Sequence, residues 1–212
     1  MKILNLYAGI GGNRKLWGDK DDITAIEIEP NIAKIYQDFF PKDKVIITDA
    51  HQYLLEHFKE FDFIWSSPPC PTHSRLCFAK RIKEYPDMKL YQEIILLQSW
   101  FKGQYVVENV IPYYKYLIKP SAVLGRHSFW SNFSIREKKF INIDISRSSP
   151  DALLKERGLD DSVFNIIKDV PESRKKDERF DRRQILRNMV NPELGLYILK
   201  ESQNNIQQTL IN

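Results

Sequence analysis

Cys70 stands in "SSPPCPTHSR", residues 66–75, and Glu108 in "VVENV", residues 106–110. Proline has no N–H to give a strand ladder, so the first stretch must be a stiff loop. A thiolate held there is a nucleophile, and a carboxyl group facing it can give or take a proton; together they suit covalent catalysis with acid assistance. A lone cysteine is more often an inert apolar residue. A second set of residues looks fit to hold a ligand rather than transform it: the glycines of "LYAGIGG" at 9, 11 and 12, Glu27 in "AIEIEP" and Asp49 in "TDA".

The elements that must position these groups alternate. Strands are expected at Lys2–Tyr7, Ile23–Glu27, Val45–Thr48, Phe61–Ser66 and Tyr105–Val107. Helices are expected at Pro30–Phe40, His51–Phe58 and Met88–Phe101, the last from the spacing of Leu90, Ile94, Leu97 and Phe101. Alternation of this kind makes an α/β fold with a mostly parallel sheet and helices on both faces. Each chemical group then falls at the C-terminal end of its strand, where open α/β sheets bind ligands. Beyond Pro112 the pattern weakens. Phe129–Ile135 and Phe140–Ile145 read as strands, Asp151–Arg157 and Ser162–Lys168 as short helices, and Arg182–Lys200 as a helical region interrupted near Pro192. Trp65 and Trp100 read as core, His51 and His57 as surface residues of a helix, and Cys77 as a small apolar residue.

The 212 residues, 42% hydrophobic and 28% charged, fit one soluble domain with a small appendage. No run is long enough for a membrane span, and the N-terminus lacks a signal-peptide pattern. Two cysteines without Cys/His partners at metal spacing exclude a disulfide scaffold and a zinc site, so no metal is expected. An intracellular, reducing, cytoplasmic setting follows as an expectation. The net charge of +4 permits a nucleic-acid partner. Residues 173–187 hold seven Lys/Arg against three Asp/Glu, which is either a basic groove or a solvated helix face.

The ligand set points to an adenosine-containing cofactor. A carboxylate ending the second strand offers two acceptors to two ribose hydroxyls, and Asp49 could accept from an adenine amino group. The loop is G-x-G-G, neither the dinucleotide fingerprint nor a P-loop. S-adenosylmethionine (SAM) carries no phosphate and needs no phosphate cradle, so it fits better than NAD. Beside a methyl donor, a thiol and a carboxyl group suit one substrate in particular. Cytosine C5 is too electron-poor to attack SAM unaided; a thiolate adding at C6 makes it nucleophilic, while a carboxyl group at N3 stabilises the charge that builds there.

"NLYAGIGG", "EIEP", "TDA", "PPC" and "ENV", in this order, resemble the ordered motifs of the DNA (cytosine-5) methyltransferases across residues 3–112. "GRHSFWSNF" and "LRNMVNP" resemble the family's later arginine motif and its closing motif. The resemblance implies a Rossmann-like SAM-dependent methyltransferase fold with a twisted, mostly parallel sheet and a small C-terminal appendage. It also implies roles. Cys70 is the nucleophile, Glu108 meets N3 and the amino group, and Asn109 orders the loops around them. Tyr7, Gly9, Gly11 and Gly12 line the methionine part of SAM; Glu27 takes the ribose; Asp49, beside Ala50, takes the adenine. Pro68 stiffens the approach to the thiolate, and Asn188 and Val190 close the SAM pocket. Arg126 or His127 holds the cytosine O2, with His73 and Ser74 near the base. Arg182 and Arg183, with neighbouring basic residues, are candidates for phosphates.

The chain departs from the family pattern at several positions. Asn5 stands where Asp is usual, Tyr7 where Phe is, Pro71 where Gln often is, and His73 where an aromatic is common. The arginine motif keeps one obvious arginine. Only about forty residues stand in place of a target-recognition domain. The division expected is a catalytic SAM-binding domain at 1–140, a reduced recognition insert at 141–180 and a C-terminal helical segment at 181–212 that packs back on the catalytic part. Sequence readout must then be minimal or come from a partner subunit or oligomer. The duplex with a flipped cytosine is the expected partner; RNA, a free cytosine nucleotide, or a non-catalytic DNA-binding or regulatory role are the alternatives.

Overall fold

Short runs buried on both faces form the central strands in a computed structural model of the chain, which describes residues 1–74, 85–140, 148–160, 162–163 and 182–211. Strands β1 (Lys2–Leu6), β2 (Asp22–Glu27), β3 (Lys44–Ile47), β4 (Phe63–Ser66) and β5 (Gln104–Val110) pair in parallel. Strand β7 (His127–Ser131) runs antiparallel to β5, and β6 (Ala122–Leu124) antiparallel to β7. The sheet order is β3-β2-β1-β4-β5-β7-β6. The chain reverses direction across the sheet between β1 and β4, and the crevice at that switch point is where such sheets take ligands.

Leu4, Leu6, Ile64, Tyr105 and Val107 face one side, packed against Leu54 of α2 (Ala50–His57) and Leu90, Ile94 and Leu97 of α3 (Lys89–Trp100). Ile3, Phe63, Trp65 and Val106 face the other, packed against Leu194, Ile198 and Leu199 of α6 (Pro192–Ile211). Helix α1 (Pro30–Phe39) has Pro at its first turn and a Glu29 N-cap, and buries Tyr36 with Ala8 and Ala25. Helices thus cover both faces, as the alternation requires. Helices α4 (Pro150–Arg157) and α5 (Arg182–Asn188) share a cluster with Ile10, through Leu153, Leu154 and Leu186. No helix among the described residues is long and apolar enough to cross a membrane.

The elements of the first half match the expectation to within a residue or two, except that β5 runs three residues past the expected Val107, to Val110. Past Pro112 there are corrections. The strand expected at Phe129–Ile135 begins at His127 and ends at Ser131. A partner of three residues, Ala122–Leu124, is too short to show a period. Phe140 is outside any strand and 141–147, Cys77 and most of Ser162–Lys168 lie outside the described residues. Trp65 is fully buried, but Trp100, the last residue of α3, is 62% exposed, past the end of the apolar stripe. His51 is not a surface residue; it turns inward to a buried carboxylate described below.

Candidate active site

The Gly-rich turn is built by its own backbone. Tyr7, just after β1, is in the left-handed region at φ 55°, and Gly9 repeats that conformation at φ 55°. A Cβ at Gly9 would meet nothing within 4 Å, which leaves open space above the turn. Gly12 is needed for the opposite reason: a Cβ there would lie 2.3 Å from Met189 Cγ and 2.4 Å from the Val190 carbonyl oxygen. The turn and the 188–190 segment therefore touch directly, with Val190 buried and Asn188 at the surface. The departure at Asn5 is absorbed by a buried pairing of side chains, with Asn13 Nδ2 donating to Asn5 Oδ1 at 2.8 Å.

Glu27 ends β2 and is buried. The amide of Gly9 donates to one of its oxygens and the amide of Glu29 to the other, each at 2.9 Å. Burial pushes its carboxyl up from the ordinary value, against the pull of those amides. The Ile28 backbone also acts on this carboxylate, and the lone-pair capacity that remains on its oxygens is what a diol could use. Asp49 is the N-cap of α2, accepting from the Gln52 amide at 2.8 Å, and this bond is the main cause of its lowered pKa. Its side chain stays half exposed, 3.6 Å from Lys89 Nζ, and Ala50 behind it is buried.

Glu93 was not legible as a functional residue. It is fully buried on α3 and accepts from Tyr7 Oη at 2.6 Å and from Ser66 Oγ at 2.5 Å, with His51 Nδ1 at 3.0 Å. One carboxylate thus ties the ends of β1 and β4 to the start of α2. The Tyr7 hydroxyl, absent where the family has Phe, has its partner here; burial, then Glu93, raises its pKa well above the usual phenol range.

Across the crevice, β4 runs into Ser67-Pro68-Pro69-Cys70. Asn109 Nδ2 donates to the Pro68 carbonyl at 2.9 Å, and Asn109 Oδ1 accepts from the Val110 amide. The Cys70 carbonyl then accepts from the amides of His73 and Ser74, each at 3.0 Å, closing the turn after the thiol. His73 is buried, bonded through Nδ1 to Tyr114 Oη at 2.5 Å, and burial lowers its pKa. It supports the loop from inside. Ser74 makes an isolated bridge to Pro112.

Cys70 is a half-buried free thiol. Burial pushes its pKa up, the Glu108 charge adds to this, and Arg126 opposes it. Glu108 is buried in β5; burial raises its pKa, but His127, Ser67 and Arg126 outweigh that and hold it below the ordinary value. The resting site therefore carries a thiol and a carboxylate, the reverse of the thiolate and carboxylic acid that covalent catalysis with acid assistance needs. Arg126 donates Nη2 to the Arg187 carbonyl at 3.0 Å, so α5 reaches the same crevice. Arg182 and Arg183 lie on α5. A separate cavity of about 370 Å³ opens behind the Gly-rich turn, between Phe39, Phe40 and Leu159, away from Cys70.

Residues 1–111 match the C-5 cytosine-specific DNA methylases. The chain belongs to that family. The matched stretch carries the Gly-rich turn, Glu27, Asp49, Cys70, Glu108 and Asn109; the family match stops short of Arg126, His127 and the 188–190 segment. Among curated relatives, the Type II methyltransferase M.Bsp6I of Bacillus sp. (strain RFL6) is 31% identical over 114 residues, 52% of this chain and 36% of that protein. The match thus spans about a third of the relative's length. Among solved structures, a mutant DNMT2 of Spodoptera frugiperda is 27% identical over 51% of this chain and 35% of its own, with a TM-score of 0.40. The Entamoeba histolytica methyltransferase EhMeth is 16% identical over 74% and 65%, with a TM-score of 0.43.

Proposed function

We propose that this chain methylates cytosine C5 in DNA, using SAM, through a covalent bond from Cys70 to the base. The observation that carries the proposal is the placement of Cys70 and Glu108 on one crevice, where the Glu108 charge raises the thiol and Arg126 acts on both groups. Family membership supports the chemistry, and the open space above Gly9 with the remaining lone-pair capacity of Glu27 supports the cofactor. SAM, when bound, supplies an electrophilic methyl group. Tyr7, Gly9, Gly11, Gly12, Glu27, Asp49, Ala50, Pro68, Asn188 and Val190 are the residues proposed to hold it.

The proton count of the resting pair equals that of the reactive pair. Cys70 gives up its S–H proton as sulfur bonds to C6, and the electrons of the C5=C6 bond shift toward N3. Charge then builds beside Glu108, which takes up a proton and hands it to N3 as a hydrogen bond. Protonating Glu108 removes the charge that raises the thiol, so each half of the exchange eases the other. Once C5 carries the methyl group, loss of the C5 proton to solvent expels Cys70 and restores the ring. Turnover accordingly needs the pair to hold one proton and fails when both groups are deprotonated.

The base must leave the duplex stack for C5, C6 and N3 to be reached together. Phosphate contacts from Arg182 and Arg183 on α5 would hold the strand, with a partner subunit or second copy adding sequence readout. The three-part division at 140 and 180 belongs to the same proposal, as does an intracellular setting that keeps the Cys70 thiol reduced. The test is transfer of tritium-labelled methyl from SAM to duplex DNA, RNA and deoxycytidine monophosphate, with Cys70→Ser alongside. Label on DNA cytosine that the variant loses supports the proposal; label on RNA or nucleotide alone changes the substrate, and none at all removes the enzyme.

A further inference from the structure

The family match ends before β7, and the residue that β7 directs at Glu108 is a histidine. In the β5–β7 pairing Glu108 lies opposite Phe129, so His127, two residues along, is its diagonal neighbour on the same face. His127 Nδ1 bonds Glu108 Oε1, both side chains being buried. Its ring lies 29° from the plane of the Phe129 ring, which limits its tilt. The other ring nitrogen, Nε2, receives the Arg126 Nε–H at 3.1 Å.

That last bond decides where the ring proton sits. A guanidinium only donates, so His127 Nε2 must be bare. The proton is then on Nδ1, where the carboxylate accepts it. We propose that His127, its tautomer fixed by Arg126, is the positioning residue that aims the Glu108 carboxyl at the base. This rests on the methyltransferase proposal above.

An imidazole here does something a second guanidinium would not. It orients one carboxylate oxygen by a hydrogen bond while adding no fixed charge, so Glu108 can still take a proton when the base enters. Arg126 carries the fixed charge and reaches further, to the Arg187 carbonyl of α5. The groups that face this unit from each packed element are Glu108 on β5, Ser67 and Cys70 on the loop after β4, Arg126 beside it, Glu156 and Arg157 on α4, and Arg187 on α5. The line Arg187–Arg126–His127–Glu108 joins the helix proposed to meet phosphate to the carboxyl proposed to meet the base.

The first test reads the ring directly. Nitrogen-15 spectra of the wild-type protein should show the His127 ring proton on Nδ1 with Nε2 bare, whether or not methyl transfer is observed. An Nε2-protonated ring overturns the proposal, and does so without bearing on the substrate. The second test is kinetic. His127→Phe keeps the ring and removes the donor, so kcat should fall about ten- to a hundredfold, the loss typical of one hydrogen bond to a charged group. Glu108, no longer held as its anion by this partner, should titrate higher, moving the acid limb of kcat to higher pH with SAM affinity within a few-fold. His127→Asn, whose amide can place a donor near the Nδ1 position, should restore most of both. A His127→Phe enzyme with wild-type kcat and an unmoved pH profile overturns the proposal.

Discussion

The Asn109 side-chain amide reaches from β5 to the Pro68 carbonyl at 2.9 Å and so fixes the distance between the carboxyl strand and the cysteine loop. Both ends are buried. Asn109→Ala leaves the carbonyl unsatisfied, a cost of about 1–3 kcal/mol. Most of it should appear in turnover, with kcat down at least tenfold and SAM affinity within a few-fold. Parallel measurement of kcat and SAM binding checks this; a kcat within twofold of wild type would show that the bond does not set the loop.

Cys70 should alkylate slowly below the ordinary thiol range, because burial and Glu108 both raise its pKa. Its rate with iodoacetamide, read peptide by peptide to separate Cys77, should reach half its maximum above about pH 8.5. Glu108→Gln removes a raising charge and should move that midpoint down. Arg126→Gln removes the opposing charge and should move it up. Midpoints that do not move in these directions would uncouple the two sides of the crevice.

The same linkage sets acid stability. Glu108 has a folded pKa below its unfolded value, so its contribution is present above about pH 4 and is lost as pH falls through the folded value. Glu108→Gln should flatten that part of the acid-unfolding curve, and circular dichroism against pH reads it.

Removing Glu93 strands three partners, the buried Ser66 and the half-buried Tyr7 and His51. Glu93→Ala should cost about 3 kcal/mol, a fall in Tm of roughly 6–12 °C for a chain of this size. SAM binding should weaken as well, since the Tyr7 turn loses its anchor. Calorimetry showing an unchanged Tm would demote the residue to a bystander.

The parallel half was legible because each strand is a short apolar run cut off by glycine, proline or an acid, which marks both its end and its chemistry. Cys70, Glu108 and Asn109 could be read for the same reason. Glu93 was hidden by the rule that found its helix: it lies three residues after Leu90 and four before Leu97, on the stripe that periodicity reads as apolar. A carboxylate on that stripe was the available signal. His127 was seen as a neighbour of Arg126 but not as the partner of Glu108, since that contact depends on the register of β7 against β5. Strand β6 has three residues, and no period can be counted over so few.

DNA affinity should rest mainly on phosphate contacts. Neutralising Arg182 and Arg183 together should lower the log–log salt slope of binding by about 2 and weaken all sequences alike. With few residues free to read base edges, the methylated site should be short, about two to four base pairs. Bisulfite sequencing that shows a long, strictly read site would place base-reading residues within 141–171.

The most direct measurement is mass spectrometry of the protein after incubation with SAM and a duplex carrying 5-fluorocytosine at its target. Fluorine blocks loss of the C5 substituent, so Cys70 cannot be expelled. A stable adduct mapped to the Cys70 peptide, with one added methyl group and absent in Cys70→Ser, is the expected result. Methyl transfer to DNA cytosine with no adduct at Cys70 would contradict the covalent mechanism.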